Sequence, residues 1–315
     1  MSVSVFAPAS IGNVSVGFDV LGLAVQPVDG TLLGDVVTVE PAEQNALAVV
    51  GAFADKLPAE PSNNIVWQCL LLFNQALEQA GKKVETVKLT LDKKMPVGSG
   101  LGSSACSVVA ALVALNYFYD DYFSEDVVLK MTGQMEAKIS GSLHYDNVAP
   151  CYLGGLQLMI ADENIITRTL PGFDDCYYVM AYPGITVSTK AAREVLPTQY
   201  SKTDLIQYGQ TLAGFVDACY RQDKAQAFGQ FDDVVAEPYR ENLLPGFASA
   251  KQYLLNQGCL AAGISGSGPT LFAVTDDKAL AESAAIWLKE NYLQTDLGFV
   301  HVCKADNQGA RCISR

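Results

Sequence analysis

The chain has 315 residues, half of them apolar and 17% charged, so it can bury a large core, wholesale disorder is excluded, and the length suggests about two domains. The formal net charge is −13 and no basic run exceeds Lys82-Lys83 or Lys93-Lys94, which argues against nucleic acid as a partner. Only two histidines occur, His144 and His301, which excludes a multi-histidine metal site and leaves little room for a Ser-His-Asp triad.

In chain order, the start lacks a positive region followed by a long apolar core, so no signal peptide is expected. Residues 3–7 and 34–40 read as strands, and the polar stretch 8–22 interrupts the pattern between them. Residues 64–80 carry apolar side chains at helical spacing and stop at Gly81. The alternating segment 87–91 predicts a strand and 103–118 a buried helix. Between these two lies Pro96-Val97-Gly98-Ser99-Gly100-Leu101-Gly102-Ser103-Ser104-Ala105. A second helix is expected near 125–139, a polar break at 141–150 and a strand over 152–160. A domain boundary is placed in 160–175, dividing the chain into 1–165 and 166–315. A strand is then predicted at 177–181, helices at 203–222, 224–236 and 246–257, and a second glycine-serine turn at 263–269. The chain closes with a strand at 270–274, a helix at 277–290 and a strand at 299–304. Strands interleaved with helices in both halves predict an α+β or α/β fold. No apolar run approaches 18 residues, the densest being 108–115, so no membrane span is expected and the protein should be cytoplasmic. The eight cysteines lie far apart with no C-x-x-C pair and read as free buried thiols.

The glycine loop is the strongest chemical signal. Glycines at alternate positions let the backbone approach a ligand closely with its N–H groups turned inward, and Ser103 and Ser104 open a helix whose N-terminus favours an anion. The loop has no lysine, so it is not a GxxxxGK[ST] P-loop, and Ser103 stands where the dinucleotide fingerprint needs glycine. A phosphate cradle remains, with a tight packing turn as the alternative. In the first polar break, Asn13 and Asp19 are able to hold an ammonium group, or instead to cap a turn and adopt a left-handed conformation. Glu136 offers oxygen to Mg²⁺ or lies on a solvated helix face. Asp146 or Asn147 is able to orient a hydroxyl, with His144 close by in sequence. Arg193 and Arg240 each offer a fork for a carboxylate, or form surface ion pairs.

The breaks at 8–22, 96–105 and 263–269 together resemble the three motifs of the GHMP small-molecule kinase superfamily, which includes galactokinase, homoserine kinase, mevalonate kinase and phosphomevalonate kinase. The resemblance runs from about Ala7 to Val302, and Pro96 to Ala105 is its most specific part. Gly17-Phe18-Asp19-Val20-Leu21-Gly22, His144-Tyr145-Asp146-Asn147-Val148-Ala149-Pro150 and Ser188-Thr189-Lys190-Ala191-Ala192-Arg193 resemble the homoserine kinases, in particular those of enterobacterial type. The resemblance implies an α+β fold of two domains. The N-terminal one would have a mixed sheet of the ribosomal S5 domain 2 type, the C-terminal one would be ferredoxin-like, and the site would lie between them.

It also implies ATP and Mg²⁺ as cofactors, L-homoserine as the acceptor, O-phospho-L-homoserine as the product on the way to threonine, and a homodimer. By position it assigns Pro96, Val97, Gly98, Ser99, Gly100, Leu101, Gly102, Ser103 and Ser104 to the phosphates, with Asn64 and Ser62 near the adenine. It assigns Ser104 and Glu136 to Mg²⁺. Asn13 and Asp19 would hold the ammonium, Arg193 and Arg240 the carboxylate, and His144, Thr189 and Gly266 would line that pocket. Asn147 would orient the hydroxyl, with Asp146 as an alternative base. The rival readings are a kinase of this fold for another small alcohol, such as mevalonate or a sugar, and a ligand sensor without turnover.

Overall fold

The structure, a computed structural model, describes residues 2–162 and 164–315, the side chain of Ser140 apart. Its N-terminal sheet is organised around β1 (Val3–Gly12), a strand buried along nearly its whole length. β1 pairs antiparallel with β2 (Leu21–Pro27) and β3 (Gly34–Pro41). β3 pairs antiparallel with β5 (Val87–Asp92), and β5 runs parallel to β4 (Ala46–Val50), so the sheet is mixed. The helices α1 (Ile65–Gln79), α2 (Ser103–Phe118) and α3 (Glu125–Ser140) belong to this half. α2 lies against β1 and β3 and between α1 and α3. Every residue from Ala105 to Asn116 is buried, as a helix that is apolar on all sides requires. Asn64 caps α1 by accepting from the Val66 N–H, and Gly81 (φ +72°) ends it.

The C-terminal half holds β8 (Tyr177–Tyr182), β9 (Ala261–Ile264), β10 (Leu271–Thr275) and β11 (Phe299–Ala305). They pair antiparallel in the order β11-β8-β10-β9, which numbered within this half is 4-1-3-2, the ferredoxin-like order. The helices α9 (Phe247–Asn256) and α10 (Lys278–Asn291) pack on these strands. The chain therefore has the expected two-domain α+β architecture, but the two sheets are joined. β11 pairs with β2, and the final strand β12 (Arg311–Ser314) pairs with β1.

Several local expectations change. Residues 152–153 are not strand: they end the short helix α4 (Val148–Leu153), which stops at Gly154 (φ +76°), and β6 is only Leu156–Met159. Within the stretch expected to hold the domain boundary, β7 (Thr167–Leu170) pairs with β6. The helix expected over 224–236 is α7 (Lys224–Gly229) alone. Beyond it, the Asp233 carboxylate accepts from the N–H groups of Val235, Ala236 and Glu237, a local bonding pattern that competes with helix and instead starts α8 (Glu237–Arg240). An extra helix, α5 (Thr189–Glu194), is capped by Ser188, and α6 (Lys202–Arg221) opens with a Ser201/Asp204 capping box. All eight cysteines are free, seven of them buried. None of the described helices is long and apolar enough to cross a membrane.

Candidate active site

A cavity of about 450 Å³ opens where the glycine loop, the turn after β1, the start of α4 and helices α5 and α8 converge. Its lining takes in every residue singled out from sequence except Pro96, Leu101 and Ser62. Pro96 and Leu101 are buried behind the loop, and Ser62 lies on an exposed turn at 61–63. A smaller cavity of about 350 Å³, walled by Leu47, Val49 and Pro61, adjoins the first and shares Leu57, Pro58 and Asn64 with it.

The phosphate-loop side is set by backbone. Gly98, Gly100 and Gly102 all have positive φ, of 65, 78 and 68°. At Gly100 a Cβ would meet the carbonyl oxygens of Ser265 and Gly268 at 2.5 and 2.7 Å, so only glycine fits there. The 263–269 turn braces the loop. Ser265 Oγ donates to the Gly100 carbonyl (2.7 Å) and Thr270 Oγ1 to that of Ser99 (2.7 Å). Below the loop lies a buried lysine that sequence reading passed over as half of a dibasic pair. The Lys93 ammonium donates to Asp35 (2.6 Å), to Ser103 O and Oγ (2.9 and 2.7 Å) and to Ser107 Oγ (3.0 Å). Asp35 also accepts from Ser107 Oγ and from the N–H groups of Lys94 and Met95, so the pair is saturated and adds no net charge to the cradle. Its sequence signal is faint: a lysine two residues after a predicted strand and ten before Ser103.

At the head of α2, Ser104 Oγ donates to Glu136 Oε1 (2.9 Å) across 32 residues. Burial pushes the Glu136 carboxyl above its ordinary range, against the Ser104 hydrogen bond and the charges of His144 and Lys93. Hydroxyl and carboxylate oxygens side by side fit Mg²⁺, a hard cation, and a cation there would favour the ionised carboxylate.

The acceptor side is set by side chains. Three consecutive residues, Asn13, Val14 and Ser15, have positive φ, as has Asp19. This conformation strains a β-branched valine and folds the segment tightly. The Asn13 carboxamide accepts from the Asp19 N–H (2.9 Å) and donates to the Gly266 carbonyl (3.0 Å), tying the first turn to the third. Gly266 O also accepts from Arg240 Nη1 (2.9 Å), while Arg240 Nε donates to Ala192 O (3.0 Å). Arg240 is only 3% exposed, and burial lowers its pKa from an ordinary value so high that it stays charged. Arg193 forks onto Asp19 through two hydrogen bonds of 2.8 and 3.0 Å. The guanidinium groups of Arg193 and Arg240 lie 5.7 and 5.4 Å from the centre of the Phe18 ring.

Between the two sides runs a chain of polar contacts. His144 Nδ1 bonds Asp146 Oδ1 (2.7 Å), Asn147 Nδ2 donates to Asp146 Oδ2 (3.0 Å), and Ser10 Oγ donates to Asn147 Oδ1 (2.9 Å). Ser10 is a second residue to which no role was given from sequence. Burial works against a charged His144, but the hydrogen bond and charge of Asp146, with Asp19 and Glu136 near, outweigh it and raise its pKa. The remaining His144 nitrogen, Nε2, is buried without a hydrogen-bond partner. Thr189 lies on the exposed start of α5 at the cavity's edge.

Residues 64–155 match the model of the GHMP kinases N terminal domain, and residues 218–292 that of the GHMP kinases C terminal domain. The structure resembles that of homoserine kinase from Cytophaga hutchinsonii at 32% identity and a TM-score of 0.89, covering 99% of this chain and 97% of that one. The chain belongs to the GHMP kinases. As a member it is a phosphotransferase, of a family that takes ATP as phosphate donor, generally with Mg²⁺. The fold is also shared with a putative homoserine kinase from Listeria monocytogenes (21% identity, TM-score 0.71, 99% of this chain and 100% of that one). It is shared too with the L. major mevalonate kinase solved with R-mevalonate (15%, 0.70, 98% and 97%).

Proposed function

We propose that this GHMP kinase transfers the γ-phosphoryl group of ATP to the side-chain hydroxyl of L-homoserine. The observation that carries the acceptor is the Asp19–Arg193 fork with Arg240 beside it, next to Asn147 and the glycine loop. One carboxylate and two guanidinium groups match the ammonium and carboxylate of an α-amino acid. The fork is 27–33% exposed, and pairs of that kind contribute about 1 kcal/mol or less. A zwitterion that separates the two residues replaces one ion pair with two. Mevalonate and sugars have no ammonium group for Asp19. The 32% identity to a homoserine kinase supports the same acceptor.

On this reading the glycine-loop N–H groups and the start of α2 hold the phosphates, and the smaller cavity beside Asn64 receives the adenine. Ser104 and Glu136 would hold Mg²⁺, which supplies positive charge to the transferring phosphoryl group. Asn147 lines the cavity, its oxygen held by Ser10 and one N–H by Asp146, and its second N–H is left to orient the acceptor hydroxyl. Both Asp146 oxygens are already engaged, by His144 and by Asn147. The loose transition state of phosphoryl transfer needs little base assistance, so Asp146 orients Asn147 and the hydroxyl proton leaves to the transferred phosphoryl group. Substituting Asp146 by Asn then slows kcat only a few-fold, whereas a general base contributes ~10²–10⁴-fold.

ADP release measured with homoserine, mevalonate and galactose tests the acceptor. Turnover with homoserine alone is the expected result, and no turnover with homoserine above background overturns the reading. The resemblance also leads us to propose a homodimer, and the sequence expectation a cytoplasmic location.

A further inference from the structure

Ser10 lies in β1 with no exposed surface, opposite Ala24 of β2, where nothing about strand packing calls for a hydroxyl. It makes two contacts that reach opposite sides of the reaction. Its backbone N–H donates to Leu101 O (3.1 Å), inside the glycine loop. Its Oγ donates to Asn147 Oδ1 (2.9 Å). A third contact, a long bond from the buried Cys151 thiol (3.5 Å), leaves the hydroxyl proton committed to Asn147. The space is tight: a Cβ on Gly102 would overlap Ser10 Oγ and come within 3.1 Å of Asn147 Oδ1.

The terminal torsion of an asparagine is soft, because it joins an sp³ to an sp² centre. Asp146 pins the amide nitrogen of Asn147, and Ser10 pins the oxygen. With both ends held, the carboxamide plane is fixed relative to β1, and through Ser10 N–H so is the phosphate loop. We propose that Ser10 is a positioning residue for phosphoryl transfer, fixing the Asn147 carboxamide from the same strand position that anchors the phosphate loop. The proposal rests on the phosphotransferase reading but not on the identity of the acceptor.

Its test separates the two contacts. Ser10→Ala removes the hydroxyl and keeps the backbone bond to Leu101. It is expected to lower kcat roughly 10- to 100-fold, the scale on which about an ångström of misplacement acts, while KM for ATP and for the acceptor stays within about 3-fold. Ser10→Thr keeps the donor and is expected to restore most of kcat. Ser10→Cys, with a weaker donor in nearly the same volume, is expected to fall between the two and replaces Ser10→Ala if that variant does not fold. In an Asn147→Ala background the Ser10→Ala loss should shrink to less than about 2-fold, because the two residues act as one unit. Wild-type kcat in Ser10→Ala overturns the proposal. So does a loss that persists undiminished in the Asn147→Ala background, or one seen only as higher KM. Absence of wild-type turnover with any acceptor would instead overturn the kinase reading itself.

Discussion

The phosphate side of the cavity is built from backbone, and the acceptor side from side chains already bonded to one another. Gly98, Gly100 and Gly102 point no side chain at a ligand; Ser265 and Thr270 brace the loop at the Gly100 and Ser99 carbonyls, and the Val187 N–H donates to that of Gly98. Asp19, Arg193, Arg240 and Asn13 instead hold each other or nearby carbonyls. A site of the first kind is shaped in advance. A site of the second kind is neutralised in advance, and a ligand enters it by exchanging partners. Backbone amides suit a ligand part that every turnover shares, and exchangeable ion pairs suit the part that must be told apart from similar alcohols.

The largest test asks whether the phosphate side stands on backbone alone. Lys93→Met leaves Asp35 fully buried without its cation, and the expected loss is about 3–5 kcal/mol of folding stability, read by denaturant unfolding. A loss near zero would mean that the surrounding N–H and hydroxyl donors suffice and that the lysine is dispensable. Next comes the loop itself. Gly100→Ala drives a methyl group into two carbonyls at φ +78°, and kcat/KM for ATP should fall roughly 100-fold as the loop shifts. A wild-type value would show the loop to be more yielding than its bracing implies. On the acceptor side, Arg193→Lys keeps the charge but loses the fork. KM for the acceptor should rise about 10-fold with KM for ATP unchanged, and a rise in the ATP value instead would dissolve the division between the sides.

The smallest effect concerns His144. Its pKa is raised in the folded protein, so its bond to Asp146 stabilises the fold fully below the unfolded value near 6.5, and that contribution is lost as pH rises through the raised folded value. The Tm difference between wild type and His144→Gln should therefore be larger at pH 6 than at pH 9. An equal difference at both would assign His144 a neutral packing role.

Much of the phosphate side was legible in one dimension, because a close backbone approach leaves its mark as glycines at fixed spacing and a helix start as serine. The Lys93–Asp35 pair was not, since 58 residues separate its members and a lysine beside Lys94 looks like surface charge. The Asp19–Arg193 fork is likewise invisible, with 174 residues between its ends; sequence and resemblance supplied both residues, but not that they meet each other. The strands β4, β7, β9 and β12 are only four or five residues long, too little periodicity to separate strand from loop, and the seven-residue β2 begins inside the stretch read as a polar break. The Asp233 turn shows the converse error: a helical pattern was continued past Gly229 into residues whose carboxylate claims the backbone N–H groups.

The pairing of β11 with β2 and of β12 with β1 has a consequence for synthesis. A ribosome releases the phosphate loop and most of its supporting sheet early, yet β1 and β2 wait for partners that emerge only with residues 299–314. During translation at ~5–20 residues per second, these edges stay open for the time taken to make the whole second half of the chain. The nascent chain would therefore be most exposed to aggregation, and most dependent on chaperones, in the interval before its last strands arrive.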